Sequence, residues 1–204
     1  MLGVIRILLA EDMSLLREAL IELLGQEDDL EVVARVGSGA DIVRQALLHR
    51  PDVAVIDIDL PDQDGITATA ALRDRLPGCR VLILTALSGP GQLRRALAAG
   101  AAGFLPKDLR PGDLADAIRA VAAGGQAVDP ALALTALRTP PSPLTQRETE
   151  ALRLSATGAQ PAEIAERLFI GYGTVRNYLT SAVTKLGARN RIDAIRIATE
   201  AGWI

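Results

Sequence analysis

The 204-residue sequence predicts an α/β domain, a doubly wound parallel sheet of five strands, followed by a small all-α domain. Three observations lead there. As far as about residue 123, short apolar runs rich in β-branched residues alternate with segments of helical spacing. Those runs are apolar almost throughout rather than alternating, as expected of strands covered on both faces. From Leu144 onward the pattern is wholly helical, and the charge changes with it: residues 1–124 carry 13 basic and 18 acidic side chains, whereas 125–204 carry 9 and 7. An acidic first part and a mildly basic second part suggest two domains with different partners.

The remaining composition excludes several classes. One cysteine (Cys79) and one histidine (His49) allow no internal disulfide and no Cys/His zinc cluster. No run approaches 18 apolar residues, and the N-terminus lacks a basic stretch with a small-residue cleavage site. A cytoplasmic protein without membrane insertion is therefore expected. Basic residues are 20 Arg against only two Lys, and there are five aromatics in all.

In order along the chain, strands are expected at Val4–Ala10, Val32–Val36, Val53–Ile58, Val81–Thr85 and Gly103–Pro106, with helices over about 13–25, 39–49, 65–76, 90–99 and 112–123. The first helix shows the spacing plainly, with Leu16, Ala19, Leu20, Leu23 and Leu24 on one face. Gly124-Gly125, Pro130, Pro140, Pro141 and Pro143 then bracket a short apolar run, Ala131–Leu137, read as one helix within a linker over 125–143.

In such sheets, function gathers beyond the carboxyl ends of the strands. Those ends carry Glu11-Asp12, Asp57, Asp59, Thr85-Ala86 and Lys107. Taken singly, an Asp at a strand end is more often a turn former or a helix cap, but independent caps have no reason to meet at one edge. Carboxylates packed so closely repel unless a hard cation sits among them, and Mg²⁺ suits oxygen ligands. The arrangement suggests a phosphoryl site. Asp57 would be the nucleophile, with the metal on the acidic group Glu11, Asp12, Asp57 and the backbone carbonyl of Asp59. Thr85 and Lys107 would bind the remaining phosphoryl oxygens.

The acid pair Glu11-Asp12, the run DVAVIDIDLPDQDG, the segment VLILTA and the run AAGFLPKD resemble the receiver domain of bacterial response regulators over about residues 4–123. The resemblance implies a flavodoxin-like (βα)5 fold for residues 1–124 and a sensor histidine kinase that donates a phosphoryl group to Asp57. It also implies an aromatic switch residue three before the lysine, here Phe104, whose missing hydroxyl leaves packing to do the switching. Pro106, just before Lys107, departs from the usual pattern and restricts Leu105.

In the second domain, Thr145 and Glu148 form a capping box opening a helix that Gly158 ends, Pro161 starts a second, and Gly171 and Gly173 open a third. Within that third helix Val175, Tyr178, Leu179, Ala182, Val183 and Leu186 form a buried stripe. The opposite side carries Thr174, Arg176, Asn177, Thr180, Ser181, Thr184 and Lys185, and residues 167–192 contain no acid. Such a face after a short helix and a tight turn fits a helix-turn-helix whose polar side enters the major groove.

Over about residues 142–200, within a domain expected at 144–204, the chain resembles the LuxR-type DNA-binding domain, with Leu144-Thr145, Arg147-Glu148, Gly158, Glu163-Ile164-Ala165, Thr174-Val175, Lys185-Leu186 and Asn190-Arg191 as specific matches. By position, Arg176, Asn177 and Thr180 would face bases, and Thr174 and Lys185 would hold phosphates. The whole chain is thus similar to the NarL/FixJ class of two-component response regulators. The stretch TVRNYLTSAVTKLGARNRIDAI resembles the subgroup that regulates fatty-acid desaturase genes in response to membrane fluidity. The implied mechanism is a switch in which phosphorylation of Asp57 favours a homodimer that pairs two DNA heads on promoter half-sites. Two other readings are a regulator that binds DNA regardless of phosphate, and an aspartate-nucleophile phosphatase. The latter needs a substrate cavity and a second general acid, for which about 120 residues leave little room.

Overall fold

The structure, a computed structural model, describes residues 3–86, 89–138 and 141–204; Pro140 of the expected linker lies outside them. Two compact units divide the described chain, one carrying the sheet over residues 3–86 and 93–134, the other made of residues 89–92 and 135–204. In the first, strands β1 (Ile5–Ala10), β2 (Leu30–Val36), β3 (Val53–Ile56), β4 (Arg80–Thr85), β5 (Gly103–Pro106) and β6 (Ala127–Val128) form one sheet in the order β2-β1-β3-β4-β5-β6. All pairings are parallel. Helices α1 (Ser14–Leu24), α2 (Gly39–His49), α3 (Gly65–Arg75), α4 (Pro90–Ala99) and α5 (Pro111–Ala122) fill the crossovers.

Burial follows the pleat. Ile7, Leu9, Val55, Leu82 and Leu84 share one core cluster with Leu24 of α1 and with Leu114, Ile118 and Val121 of α5. The alternating residues Leu8, Ala54, Ile56, Ile83 and Phe104 are equally inaccessible, as are Ile42 of α2, Leu72 of α3 and Leu93 of α4. Both faces are therefore covered, which is why the strands read as unbroken apolar runs. In α1, Leu20 and Leu23 pack beside Leu24 on this core, but Ala19, expected on the same stripe, is exposed.

The sheet has six strands where five were expected. The extra one, β6, is two residues long and pairs with Gly103 and Phe104 of β5 inside the segment expected to be linker. It covers the otherwise free edge of β5, and α6 (Pro130–Arg138) follows it. Pro106 fits at the end of β5 because Lys107 N–H already bonds Thr85 O at 2.9 Å. The nitrogen of Pro106 therefore points to the opposite side, where β6 offers no pair beyond Val128.

The second unit contains α7 (Gln146–Ala156), α8 (Pro161–Arg167), α9 (Tyr172–Lys185) and α10 (Arg191–Glu200), besides the end of α6. Ala151, Leu152, Ile164, Val175, Leu179, Ala182, Ala194 and Ala198 are its core. Half of these are alanines, whose small side chains leave room for helices to pack closely. Thr145 caps α7, its Oγ1 accepting from Glu148 N–H at 3.3 Å while Glu148 Oε2 accepts from Thr145 N–H at 2.7 Å. Gly158, at φ 89°, takes the left-handed turn after α7.

Candidate phosphoacceptor pocket and nucleic-acid interface

The first site is built at the carboxyl edge of the sheet. Asp57 is the first residue past β3, held in line by its N–H bond to Ala10 O at 2.9 Å. Glu11 follows β1 in the same way, its N–H bonding Val36 O at 3.1 Å. Both carboxylates are buried, whereas Asp12 beside them is exposed. Oxygens of Glu11, Asp12 and Asp57 lie within 4.8 Å of one another. Lys107, one residue past β5, reaches between two of them, with Nζ at 2.6 Å from Glu11 Oε2 and 2.9 Å from Asp57 Oδ2. Arg17 of α1, which no sequence pattern pointed to, donates to the backbone oxygen of Glu11 at 2.7 Å and so fixes the turn that aims the acid pair.

A close backbone approach and a helix cap fix the loop after β3. A Cβ on Gly65 would lie 2.0 Å from the carbonyl oxygen of Asp57, so only glycine lets α3 start there. Asp64 caps that helix, its Oδ1 accepting from the N–H groups of Ile66 and Thr67 at 3.1 Å each.

The electrostatics are those of crowded carboxylates around one ammonium. Burial pushes the Glu11 carboxyl up and the neighbouring Asp57 charge adds to the rise, while the Lys107 bonds work against it. For Lys107, burial disfavours the ammonium, but the hydrogen bonds to Asp57 and Glu11 outweigh it and hold the group above its ordinary value. Asp57 Oδ2 is engaged by Lys107, while Asp57 Oδ1 is buried without a hydrogen-bond partner. An unpartnered carboxylate oxygen, in a set of hard oxygen donors, fits a divalent cation such as Mg²⁺. Asp59 is exposed and its carboxylate is not among the three clustered ones. Thr85 and Phe104 are both fully buried on the adjacent strands β4 and β5, where Phe104 stands opposite Ile83 and Thr85 opposite Pro106.

The second site lies on α9. Thr174, Arg176, Asn177 and Thr180 are exposed, while Val175, Leu179 and Ala182 are buried. Gly171 is the N-cap and contributes no side-chain bond. Lys185 and Ser181, expected on the open polar side, have a different partner: both turn to Glu148 of α7, with Lys185 Nζ at 2.7 Å from Oε2 and Ser181 Oγ at 2.6 Å from Oε1. Burial raises the Glu148 carboxyl, yet the bonds from Lys185, Ser181 and Thr145 overcome it and bring the group down to about 2. Glu148 is thus more than the third residue of a capping box; it ties α7 to the third turn and end of α9.

Residues 7–119 match the response regulator receiver domain, and residues 142–198 match the bacterial regulatory proteins of the luxR family. Transcriptional regulatory protein DesR of Bacillus subtilis is 43% identical over 199 residues, 98% of each chain. The DNA-binding transcriptional activator DevR/DosR of Mycobacterium tuberculosis is 37% identical, covering 96% of this chain and 94% of that one. Among solved structures, response regulator ChrA of a heme-sensing two-component system is 36% identical, with a TM-score of 0.58 and full coverage of both chains. The chain belongs to the response regulators of the NarL/FixJ class, with a receiver domain and a LuxR-type helix-turn-helix domain. It is a transcriptional regulator rather than an enzyme. No described helix is long and apolar enough to cross a membrane.

Proposed function

We propose that Asp57 accepts a phosphoryl group from the phosphohistidine of a sensor histidine kinase in the cytoplasm, and that this promotes dimerisation and sequence-specific promoter binding. The observation that carries the reading is the unpartnered, buried Asp57 Oδ1. In the transfer, a carboxylate oxygen of Asp57 attacks phosphorus, the P–N bond to the imidazole breaks with its electron pair leaving on nitrogen, and an acyl phosphate forms. Lys107 then shifts its ammonium from the Asp57 carboxylate to a phosphoryl oxygen, and the Thr85 hydroxyl binds another. Glu11, Asp12 and Asp57, with the carbonyl of Asp59, would hold Mg²⁺. When bound it supplies positive charge that offsets the clustered carboxylates and the incoming oxygens. Movement of Thr85 changes the packing on Phe104 and so the surface of the last helices and strand.

On DNA, Arg176, Asn177 and Thr180 face bases, and Thr174 holds a phosphate. Lys185 has donors left beyond Glu148 and contacts the backbone secondarily. Residues 1–124, 125–143 and 144–204 serve as receiver, linker and DNA head.

The test is labelling with radioactive acetyl phosphate and Mg²⁺, followed by DNA selection with the labelled protein. Wild type takes up label and Asp57→Ala does not. If neither is labelled the phosphoacceptor reading is wrong, and equal DNA binding by both would favour a regulator indifferent to phosphate.

A further inference from the structure

The helical unit holds four of the five aromatics of the chain. Tyr178 and Trp203 pack against its core cluster, whereas Phe169 and Tyr172 are exposed. Phe169, in the turn between α8 and α9, is 94% exposed, and Tyr172, the first residue of α9, is 52% exposed. About half of Tyr172 is left in water, and that surface gains nothing for the fold. Tyr172 lies one helical turn before Arg176, which is itself one turn before Thr180, so its ring flanks the reading face at the helix end that enters the groove first. The surroundings suit a polyanion, since residues 167–192 contain Arg167, Arg176, Lys185, Arg189 and Arg191 and no acid. A protein partner is less well matched: it would cover Tyr172 only by also covering Arg176 and Thr180.

Resting on the DNA-reading role given above for this face, we propose that Tyr172 is a further specificity-determining residue, packing its ring on a thymine methyl group in the major groove one helical turn from the Arg176 contact. An apolar side chain distinguishes thymine because it is the base that carries a methyl group in that groove. Tyr172 thus adds an apolar ring contact at the start of α9 to the contacts of the polar side chains further along it. Gly173 beside it has no side chain to block the approach of the ring.

The experiment uses the full-length phosphorylated protein and the DNA site it selects in vitro, with each thymine replaced in turn by deoxyuridine, which removes only the methyl group. Wild type should lose about fourfold in affinity at one thymine per half-site, the worth of one buried carbon group. Tyr172→Ala should show no loss at that position, and Tyr172→Phe should keep the wild-type sensitivity because the ring, not the hydroxyl, makes the contact. Exposure of the side chain makes both variants foldable, checked by circular dichroism. The proposal is overturned if every deoxyuridine effect survives in Tyr172→Ala, or if that variant weakens all sequences equally. Failure of the face as a whole looks different: wild type would then select no sequence, and Arg176→Ala would leave binding unchanged.

Discussion

Replacing Glu148 by Gln keeps the shape of the α7–α9 tie and removes its charge, so the consequence can be worked from the structure. The carboxyl is 6% exposed and accepts from Lys185, Ser181 and Thr145. Its folded value is about 2 against an ordinary 4.5, which corresponds to about 3 kcal/mol favouring the charged form in the native state. Because the native value is depressed, this stability is fully present above pH 4.5 and is lost as pH falls through 2. Integrated over the two values, roughly 2 kcal/mol of it is gone by pH 3. Urea unfolding followed by Trp203, the single tryptophan and a neighbour of the helical core, reports on the right unit. Glu148→Gln should be less stable than wild type by about 3 kcal/mol at pH 7, and the gap should close towards about 1 kcal/mol at pH 3. In a Lys185→Met background the same substitution should cost markedly less, because the main counter-charge is already gone. A gap between wild type and Glu148→Gln that is the same at both pH values refutes the reasoning, since lost packing would not titrate.

Two further expectations concern the backbone. Gly65→Ala drives a Cβ onto the Asp57 carbonyl oxygen, and unfolding experiments should show a loss of more than about 2 kcal/mol, with label uptake at Asp57 falling as its loop shifts. Phe169 sits at φ 53° with its ring in water; Phe169→Gly should therefore be neutral or more stable by up to about 1 kcal/mol in the same urea assay, and a loss would show that the ring packs on something.

What could be read in the chain beforehand was whatever a local pattern records. The strand–helix alternation, the apolar runs, the stripe of α9 and the capping box of Thr145 and Glu148 are each written within a dozen residues, and the folded chain shows them at nearly the expected bounds. The β6 strand could not be read so, because two residues carry no period; it forms only because β5 leaves an edge to pair with. Arg17 could not be read either, since α1 spacing marks its apolar face and says nothing of a guanidinium reaching a backbone oxygen six residues earlier. Lys185 shows the limit most clearly. On helical spacing alone it belongs to the open polar side of α9, but its partner lies 37 residues away in sequence, and only the packing of α7 against α9 brings them together.

The chain's two lysines follow one physical rule that the many arginines do not. Among the described residues, each ion pair that joins separate elements through a buried carboxylate uses lysine: Lys107 on Glu11 and Asp57, Lys185 on Glu148. Arginines that reach between elements meet carboxylates a third or more exposed, as Arg119 does with Glu27 and Asp29, and the buried Asp193 is met by Arg189 and Arg196 from within its own helix or the turn before it. A compact ammonium on a flexible stem can place one charge between two oxygens approaching from different strands, where a planar guanidinium needs room for its fork. The same compactness lets Lys107 exchange one oxygen partner for another with small movement, which the proposed alternation between a free and a phosphorylated Asp57 would need. Lys185 faces no such exchange, and its bond to Glu148 ties the end of α9 to the start of α7. An arginine at 107 would meet Glu11 and Asp57 with a larger, flatter group, so Lys107→Arg should retain the native fold and impair label uptake.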